Sequence, residues 1–549
     1  CAAELAQQHQ HQLVDQVDEK LSTALCAAWP TQVPGFHRLE FAEACVALTL
    51  MTGSAAASVG TIDAVIDTFW LGDALTGCLT QDAITHVFSP LRQLAAPQAR
   101  LLTSTPAAMA NAVEQALLRA GFIDIDTDAI DPQRTTLTAT YAPSWPTAPR
   151  AKQRKLERSA IVIGAGLAGS AACAQLTARG WQVTLIERHA APAQEASGNL
   201  AGIFMPLLSK DDNPTSRLTR AAYLCALARW TAMGADFPGA ACSVLQLARD
   251  EAHQQLQREI AASGLYPADF AQWLEAAQAS ALSGTRLTIG GWHFPQGGWA
   301  SPPALCAALL TRCGDRLTRR FSNTALTLLR TGEAWQVLDA AGKPIASAPN
   351  VILANGNGAT RLAQASTLPL TAVRGQVSYL PAEVLAQASM ADLKMVLCRE
   401  GYITPAQQGL CSVGASYDLD SEIALRADSH AGNLARLRQI LPALADALAA
   451  LPMTGRVGFR AVTPDRLPLV GALPDMAALA HFRGDRLHQV PRLTGLYGLL
   501  GYASRGLIWA PLAAQLLVAQ LEGEPLPLAR DLVAVLDPAR FALKRHLQK

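Results

Sequence analysis

The sequence predicts an α/β protein in two parts: a partial α/β lobe, then a Rossmann-type dinucleotide-binding domain interleaved with an antiparallel sheet. Three observations predict it. Residues 159–187 read as strand, glycine turn, helix and second strand; residues 351–358 and 495–515 return to strands that end in glycines; and a proline-containing basic stretch at 141–158 separates all of these from residues 1–140. In the first run Gly164 permits the tight turn, Gly166 lets backbone amides approach a pyrophosphate, and Gly169 lets the helix pack close to the strand. The helix N-terminus then holds the diphosphate. Glu187 ends the second strand 18 residues after Gly169, where a carboxylate accepts hydrogen bonds from a ribose and repels the extra phosphate of NADP.

The elements before the break alternate between helix and strand. An Ala/Gln-rich helix opens the chain, followed by apolar segments at 45–51 and 62–70, a helix over 81–94, a strand around 99–105, a helix over 107–120 and a strand near 122–126. That alternation is an α/β pattern. Residues 141–158 carry Pro143, Pro146 and Pro149 with five basic residues, the composition of an exposed linker. After it, the discontinuous cofactor part is placed at about 159–235, 296–366 and 455–549, and the substrate part at about 236–295 and 367–454. Alternating stretches at 376–380, 401–404 and 410–414 belong to the substrate sheet.

Composition excludes several classes. The longest bland stretch, 46–66, contains Ser54, Ser58, two glycines and Asp63 and fails as a membrane span. The 11 cysteines are odd in number and never spaced CxxC, so they read as reduced core residues of a cytoplasmic protein. His9 and His11 lack partner ligands, and no metal site is expected. No signal-peptide pattern opens the chain, and a start at Cys1 rather than Met is expected of a fragment. With 45 basic against 44 acidic residues the net charge is +1, which gives no general attraction for nucleic acid. Local clusters remain: Lys152, Arg154, Lys155 and Arg158; Arg312, Arg316, Arg319 and Arg320; and Lys544, Arg545 and Lys549. The alternative for each is a linker, a solvated helix end or a basic tail.

Seven segments together carry a specific resemblance: Gly-Ala-Gly-Leu-Ala-Gly at 164–169 with Glu187; Ala-Ser-Gly-Asn at 196–199; Phe-Pro-Gln-Gly-Gly-Trp at 294–299; Val-Arg-Gly-Gln at 373–376; Gly-Tyr-Ile-Thr-Pro at 401–405; Gly-Arg-Val-Gly-Phe-Arg at 455–460 with Thr-Pro-Asp at 463–465; and Ser-Arg-Gly-Leu at 504–507. Over nearly all of 159–549 the chain resembles the D-amino-acid, glycine and sarcosine oxidase superfamily. Within it, the chain resembles the FAD oxidase half of bifunctional tRNA 5-methylaminomethyl-2-thiouridine biosynthesis proteins. Residues 1–140 resemble the C-terminal part of that family's methyltransferase half.

The resemblance implies non-covalent FAD, oxygen as electron acceptor and the tRNA anticodon region as partner, with neither metal nor membrane involved. The implied reaction removes the carboxymethyl group from 5-carboxymethylaminomethyluridine at the wobble position, releasing glyoxylate. The alternatives are a free glycine or sarcosine oxidase, and a flavin-containing RNA-binding scaffold without turnover. Arg460 is the first candidate for the substrate carboxylate, because a guanidinium fork matches two oxygens; its alternative is an ion pair with Asp465. Tyr402 adds a hydroxyl or is a core aromatic, Arg505 supports substrate or flavin, and Arg374 orders the junction between sheet and cofactor. Cofactor contacts are expected from Gly164, Gly166, Gly169, Glu187, Ser197, Gly198, Asn199, Gly356, Gly501, Ser504 and Gly506. The glycine loop for S-adenosylmethionine is absent and the family's aspartate signature survives only at 63–69, where Asp67 is the candidate. Methyl transfer is expected only with a complete N-terminal half.

Overall fold

A computed structural model describes residues 19–41, 46–72, 81–146, 157–387, 393–444 and 453–548. His9, His11, Lys152, Arg154, Lys155 and Lys549 lie outside these residues.

The first lobe is a four-stranded sheet in the order Ile66–Leu71, Ala95–Pro106, Arg134–Tyr141, Phe122–Asp131, with only the first pair parallel. Phe69, Phe88, Phe122, Leu137 and Tyr141 form its core. The expected single helix over 81–94 is two, Gln81–Phe88 and Leu91–Leu94. Pro90 explains the break, since a proline ring inside a helix clashes with the preceding turn and removes a donor. The strand expected near 122–126 runs on to Asp131 and folds back as Arg134–Tyr141, whose residues alternate between buried and half-buried.

An antiparallel hairpin, Gly35–Phe41 with Val46–Thr52, leaves this lobe and packs on the second unit. Its Glu40 accepts from Arg179 Nη2 at 2.9 Å, Arg229 Nη2 at 2.5 Å and Gln515 Nε2 at 2.9 Å. One carboxylate thereby ties the hairpin to three different helical segments of the larger unit. Burial by itself would push the Glu40 carboxyl up, but Arg229 and Arg179 outweigh it and hold it down to about 2.

Among the described residues the larger unit has two large sheets and two three-stranded ones. The first runs Leu317–Arg320, Gln182–Ile186, Ser159–Ile163, Asn350–Leu353, Arg492–Leu500, Leu469–Pro474, parallel except for the antiparallel last pair. Its central strands are apolar runs buried on both faces, as a parallel sheet requires. The helices Leu167–Ala178, Pro302–Arg312 and Gly506–Glu522 cover one face, and Leu328, Trp335 and Val337 of a small three-stranded sheet cover the other. The second sheet has eight strands and is antiparallel except where Val244–Leu247 meets Val396–Cys398. Thr454–Val462, the start of the segment 455–549 read as cofactor side, is an edge strand of this sheet. It pairs with Thr371–Pro381 residue for residue, placing Val373 opposite Arg460 and Gly375 opposite Gly458.

Candidate active site

A cleft of about 510 Å³ opens between the two sheets, where the parallel strands end. Ligands bind at that position in open α/β sheets. Gly164, with φ of +104°, makes the turn out of the first strand, and a Cβ there would stand 2.7 Å from the Ala354 carbonyl oxygen. Gly169 lies below the cleft floor rather than in its lining: a Cβ on it would sit 1.8 Å from Gly164 O, so its role is close helix–strand packing. Glu187 is buried at the end of the second strand; its two oxygens accept from Ala165 N at 2.7 Å and His189 N at 2.9 Å. That pair of bonds fixes the carboxylate at the cleft edge beside the glycine turn.

Ser197, Asn199, Gly356, Gly501, Ser504 and Gly506 all line the cleft. Ser197 Oγ accepts from Leu167 N at 3.1 Å, capping the helix end where an anion would sit. Gly356 adopts φ of +55° as its strand exits. Gly198 does not line the cleft. A Cβ there would meet Arg456 Nη2 at 2.2 Å, and that guanidinium donates to the Gln194 and Glu195 carbonyls at 2.7 and 2.6 Å. Gly198 therefore makes room for an arginine of the second sheet that clamps the cofactor-side loop.

Arg460 and Tyr402 are brought together on the substrate side of the cleft. Arg460 donates to Ser416 O at 3.1 Å, and its guanidinium lies 5.8 Å from the Tyr417 ring centroid. Asp465 pairs with Arg540 at 2.8 and 2.9 Å instead, which leaves the Arg460 fork without a carboxylate among the described residues. Burial lowers the Arg460 pKa, but an arginine stays charged at neutral pH. Burial raises the Tyr402 hydroxyl to about 12, so it is a donor throughout the neutral range.

Arg505 is not part of the cleft lining, although Ser504 and Gly506 on either side are. It is the N-cap residue of Gly506–Glu522, and burial, with the charge of Arg466, lowers its pKa. Arg374 is fully buried and outside the cleft lining: it donates to the carbonyls of Glu422 at 2.8 Å and Ala424 at 2.7 Å and to Asp418 at 3.1 Å, stapling the 418–424 loop to the sheet.

Three lining residues escaped sequence reading. Asn355 Oδ1, Asn357 Oδ1 and the Tyr502 hydroxyl are buried with no hydrogen-bond partner, and all three residues border the cleft. Buried polar atoms are ordinarily satisfied, so orphans gathered here fit a group that supplies donors and acceptors, as a flavin dinucleotide does. The signal was present in Ala-Asn-Gly-Asn-Gly at 354–358, where the glycines drew attention and the asparagines did not.

A second cavity of about 280 Å³ lies between the hairpin and the helix Pro214–Met233. Its charged groups are already engaged: Arg220 grips Asp212 at 2.6 and 3.0 Å, and Arg217 pairs with Asp531 at 2.7 Å. Among the described residues no cluster of three or more metal-ligating side chains occurs, and no helix is long and apolar enough to cross a membrane. The cysteines that are described are free thiols.

Residues 159–520 match the FAD dependent oxidoreductase family, DAO. The chain is 42% identical over 543 residues to the tRNA 5-methylaminomethyl-2-thiouridine biosynthesis bifunctional protein MnmC of Paraburkholderia phytofirmans, spanning 95% of this chain and 81% of that protein. To the protein of the same name from an Azoarcus species it is 43% identical over 529 residues, with 95% and 81% covered. Among solved structures, glycine oxidase from Geobacillus kaustophilus superposes with a TM-score of 0.57 at 20% identity, covering 69% of this chain and 98% of that one. Iminodiacetate oxidase from Chelativorans gives 0.52 at 23% identity, covering 67% and 96%. These two likenesses concern the fold.

Proposed function

Since the chain belongs to the MnmC family and carries an FAD-dependent oxidoreductase domain, we propose that it modifies the wobble uridine of tRNA by oxidative removal of a carboxymethyl group from nitrogen. The substrate is 5-carboxymethylaminomethyluridine, with or without the 2-thio group, and the products are the 5-aminomethyl nucleoside and glyoxylate. The single observation that carries the site assignment is the Arg460 fork, which meets no carboxylate among the described residues, beside Tyr402 in a cleft whose other wall is the dinucleotide turn.

The Gly164 turn, Glu187, the orphaned asparagines and the Gly501 segment would hold FAD without a covalent bond, and FAD there would supply the two-electron oxidation of the methylene between nitrogen and carboxylate, with oxygen as the final acceptor and hydrogen peroxide as its product. Arg460 binds the carboxylate through paired donors and so fixes the methylene relative to the cofactor side of the cleft. Its positive charge also disfavours the ammonium form of the neighbouring amine, leaving the nitrogen lone pair free for oxidation. Tyr402 stays protonated and donates toward the same carboxylate. Water then adds to the carbon–nitrogen double bond of the oxidised substrate, and the carbon–nitrogen bond breaks to leave the primary amine on the nucleoside.

Methyl transfer with S-adenosylmethionine is assigned to a complete N-terminal half. We place the protein in the cytoplasm, where tRNA is modified, and assign no metal to the reaction. Incubating purified protein with tRNA from cells lacking it, followed by nucleoside analysis, tests the reading. Loss of the carboxymethylaminomethyl nucleoside with matching glyoxylate supports it; unaltered tRNA together with oxidation of free glycine or sarcosine would replace it with a small-molecule oxidase, and bound but unaltered tRNA without any oxidase activity would indicate a scaffold.

A further inference from the structure

Two guanidinium groups lean on one exposed ring at the cleft mouth. Arg460 lies 5.8 Å from the Tyr417 centroid and Arg466 lies 5.8 Å from the same centroid. Like charges drawn together repel, and proteins normally interleave carboxylates among them. Here the nearby carboxylates are committed elsewhere: Asp465 grips Arg540 at 2.8 and 2.9 Å, and Asp418 accepts from Arg374 at 3.1 Å. Among the described residues Arg466 has neither a side-chain hydrogen bond nor an ion pair with a carboxylate. The backbone also holds Arg466 on purpose. Its φ is +59°, which side chains other than glycine rarely adopt, and its amide donates to Thr463 O at 3.0 Å within a turn closed by Thr463 Oγ1 donating to Leu467 O at 2.7 Å. Arg466 is thus an exposed cation in a fixed position beside a half-buried one.

We propose that Arg466 binds phosphate at the mouth of the cleft, with Tyr417 standing between it and Arg460. A polyanionic substrate is then gripped at two places: its carboxylate inside, by Arg460, and a backbone phosphate of the strand that carries it outside, by Arg466. The proposal rests on the tRNA reading above and adds which residue distinguishes a nucleic acid from a small amino acid bearing the same carboxylate. The rim of the mouth suits such a partner. Leu419 and Ile423, each 78% exposed, stand on the loop that Arg374 staples down, offering apolar surface to unstacked bases.

The probes are bulk tRNA from cells lacking the protein, and N-methylglycine as a carboxylate-bearing amine without phosphate. Arg466→Gln should raise the KM for tRNA by about tenfold, the loss of one charge-assisted contact, and Arg466→Glu by more, with KM for N-methylglycine moving much less. The slope of log affinity against log salt should fall by about 0.7 to 0.9 for each phosphate contact removed. Inorganic phosphate should compete with tRNA in the wild type and lose that effect in Arg466→Glu. Flavin content and visible spectrum report that the site remains assembled. Wild-type tRNA affinity and salt slope in both variants would overturn the phosphate contact while leaving the tRNA reading intact; a wild-type protein that oxidises N-methylglycine but neither binds nor alters tRNA would overturn the reading and the contact together.

Discussion

The Arg460 guanidinium occupies the space that a side chain on Gly375 would need: a Cβ at 375 would stand 2.2 Å from Arg460 Nη1 and 2.5 Å from Nη2. The two residues lie on paired strands, where Val373 is opposite Arg460, so the arginine reaches back across the sheet over a gap in the neighbouring row of side chains. The obstacle is the far end of a flexible chain, so Gly375→Ala should fold with nearly normal stability while turning the guanidinium away from Ser416 and the cleft.

The expected consequence is that Gly375→Ala reproduces the Arg460→Ala defect, a loss of about 2 to 4 kcal/mol in kcat/KM. FAD content should be preserved in both. Arg460→Lys should retain charge but lose the fork, and so fall between wild type and Arg460→Ala. Steady-state kinetics with tRNA carrying the carboxymethylaminomethyl nucleoside and a thermal melt on the same samples decide the matter; normal kcat/KM in Gly375→Ala would mean that the observed guanidinium position is not the working one.

A second prediction concerns the dinucleotide turn. A Cβ on Gly169 would meet the backbone oxygen of Gly164 at 1.8 Å, and backbone cannot step aside as an arginine tip can. Wild-type protein should purify yellow and release FAD on denaturation. Gly169→Ala should push the helix Leu167–Ala178 off its strand and reduce bound FAD, read as the ratio of flavin to protein absorbance. Full FAD occupancy in that variant would place the diphosphate elsewhere.

The third prediction is a pH dependence. Glu40 titrates at about 2 in the folded protein against 4.5 for an ordinary glutamate. A depressed folded pKa means that its stabilisation is complete above about pH 4.5 and drains away as the pH falls toward 2. The amount is on the order of 3 kcal/mol. Melting curves of wild type and Glu40→Gln should differ at neutral pH and converge on acidification through that window; a gap that persists unchanged would remove Glu40 from the hairpin's anchoring.

Sequence alone reached the parts whose physics is local. The run from Ser159 to Glu187 carries its strand, turn and cap within one stretch of chain, and the structure has each where the spacing requires. Arg460 and Tyr402 were legible as cleft residues because short motifs mark them. Arg505 stands outside the cleft lining although Ser504 and Gly506 are in it, because glycine spacing fixes where a backbone turns, not the direction in which the residue at a helix start sends its side chain. Gly198 and Gly375 were visible as glycines, but their purpose lies in Arg456 and Arg460, contributed by another strand. The docking of Gly35–Thr52 through Glu40 was likewise unreadable, since its partners Arg179, Arg229 and Gln515 come from three distant segments.

The last prediction separates two sources of RNA affinity. A chain with net charge +1 must bind tRNA through local clusters, and the basic stretch at 152–158 is one. Within it Arg158 is committed: its Nε and Nη2 donate to the two oxygens of Glu522 at 3.0 and 2.7 Å. A bidentate partner neutralises the charge and occupies the donors a phosphate would need, so Arg158→Gln should leave the salt dependence of tRNA binding nearly unchanged. Neutralising Lys152, Arg154 and Lys155 together should instead weaken binding and flatten the slope of log affinity against log salt by up to about 0.7 to 0.9 per contact. Salt titrations of the single and triple variants distinguish the cases. A triple variant with the wild-type slope would exclude the stretch as an RNA contact, and a large effect of Arg158→Gln would show that tRNA draws this arginine away from Glu522.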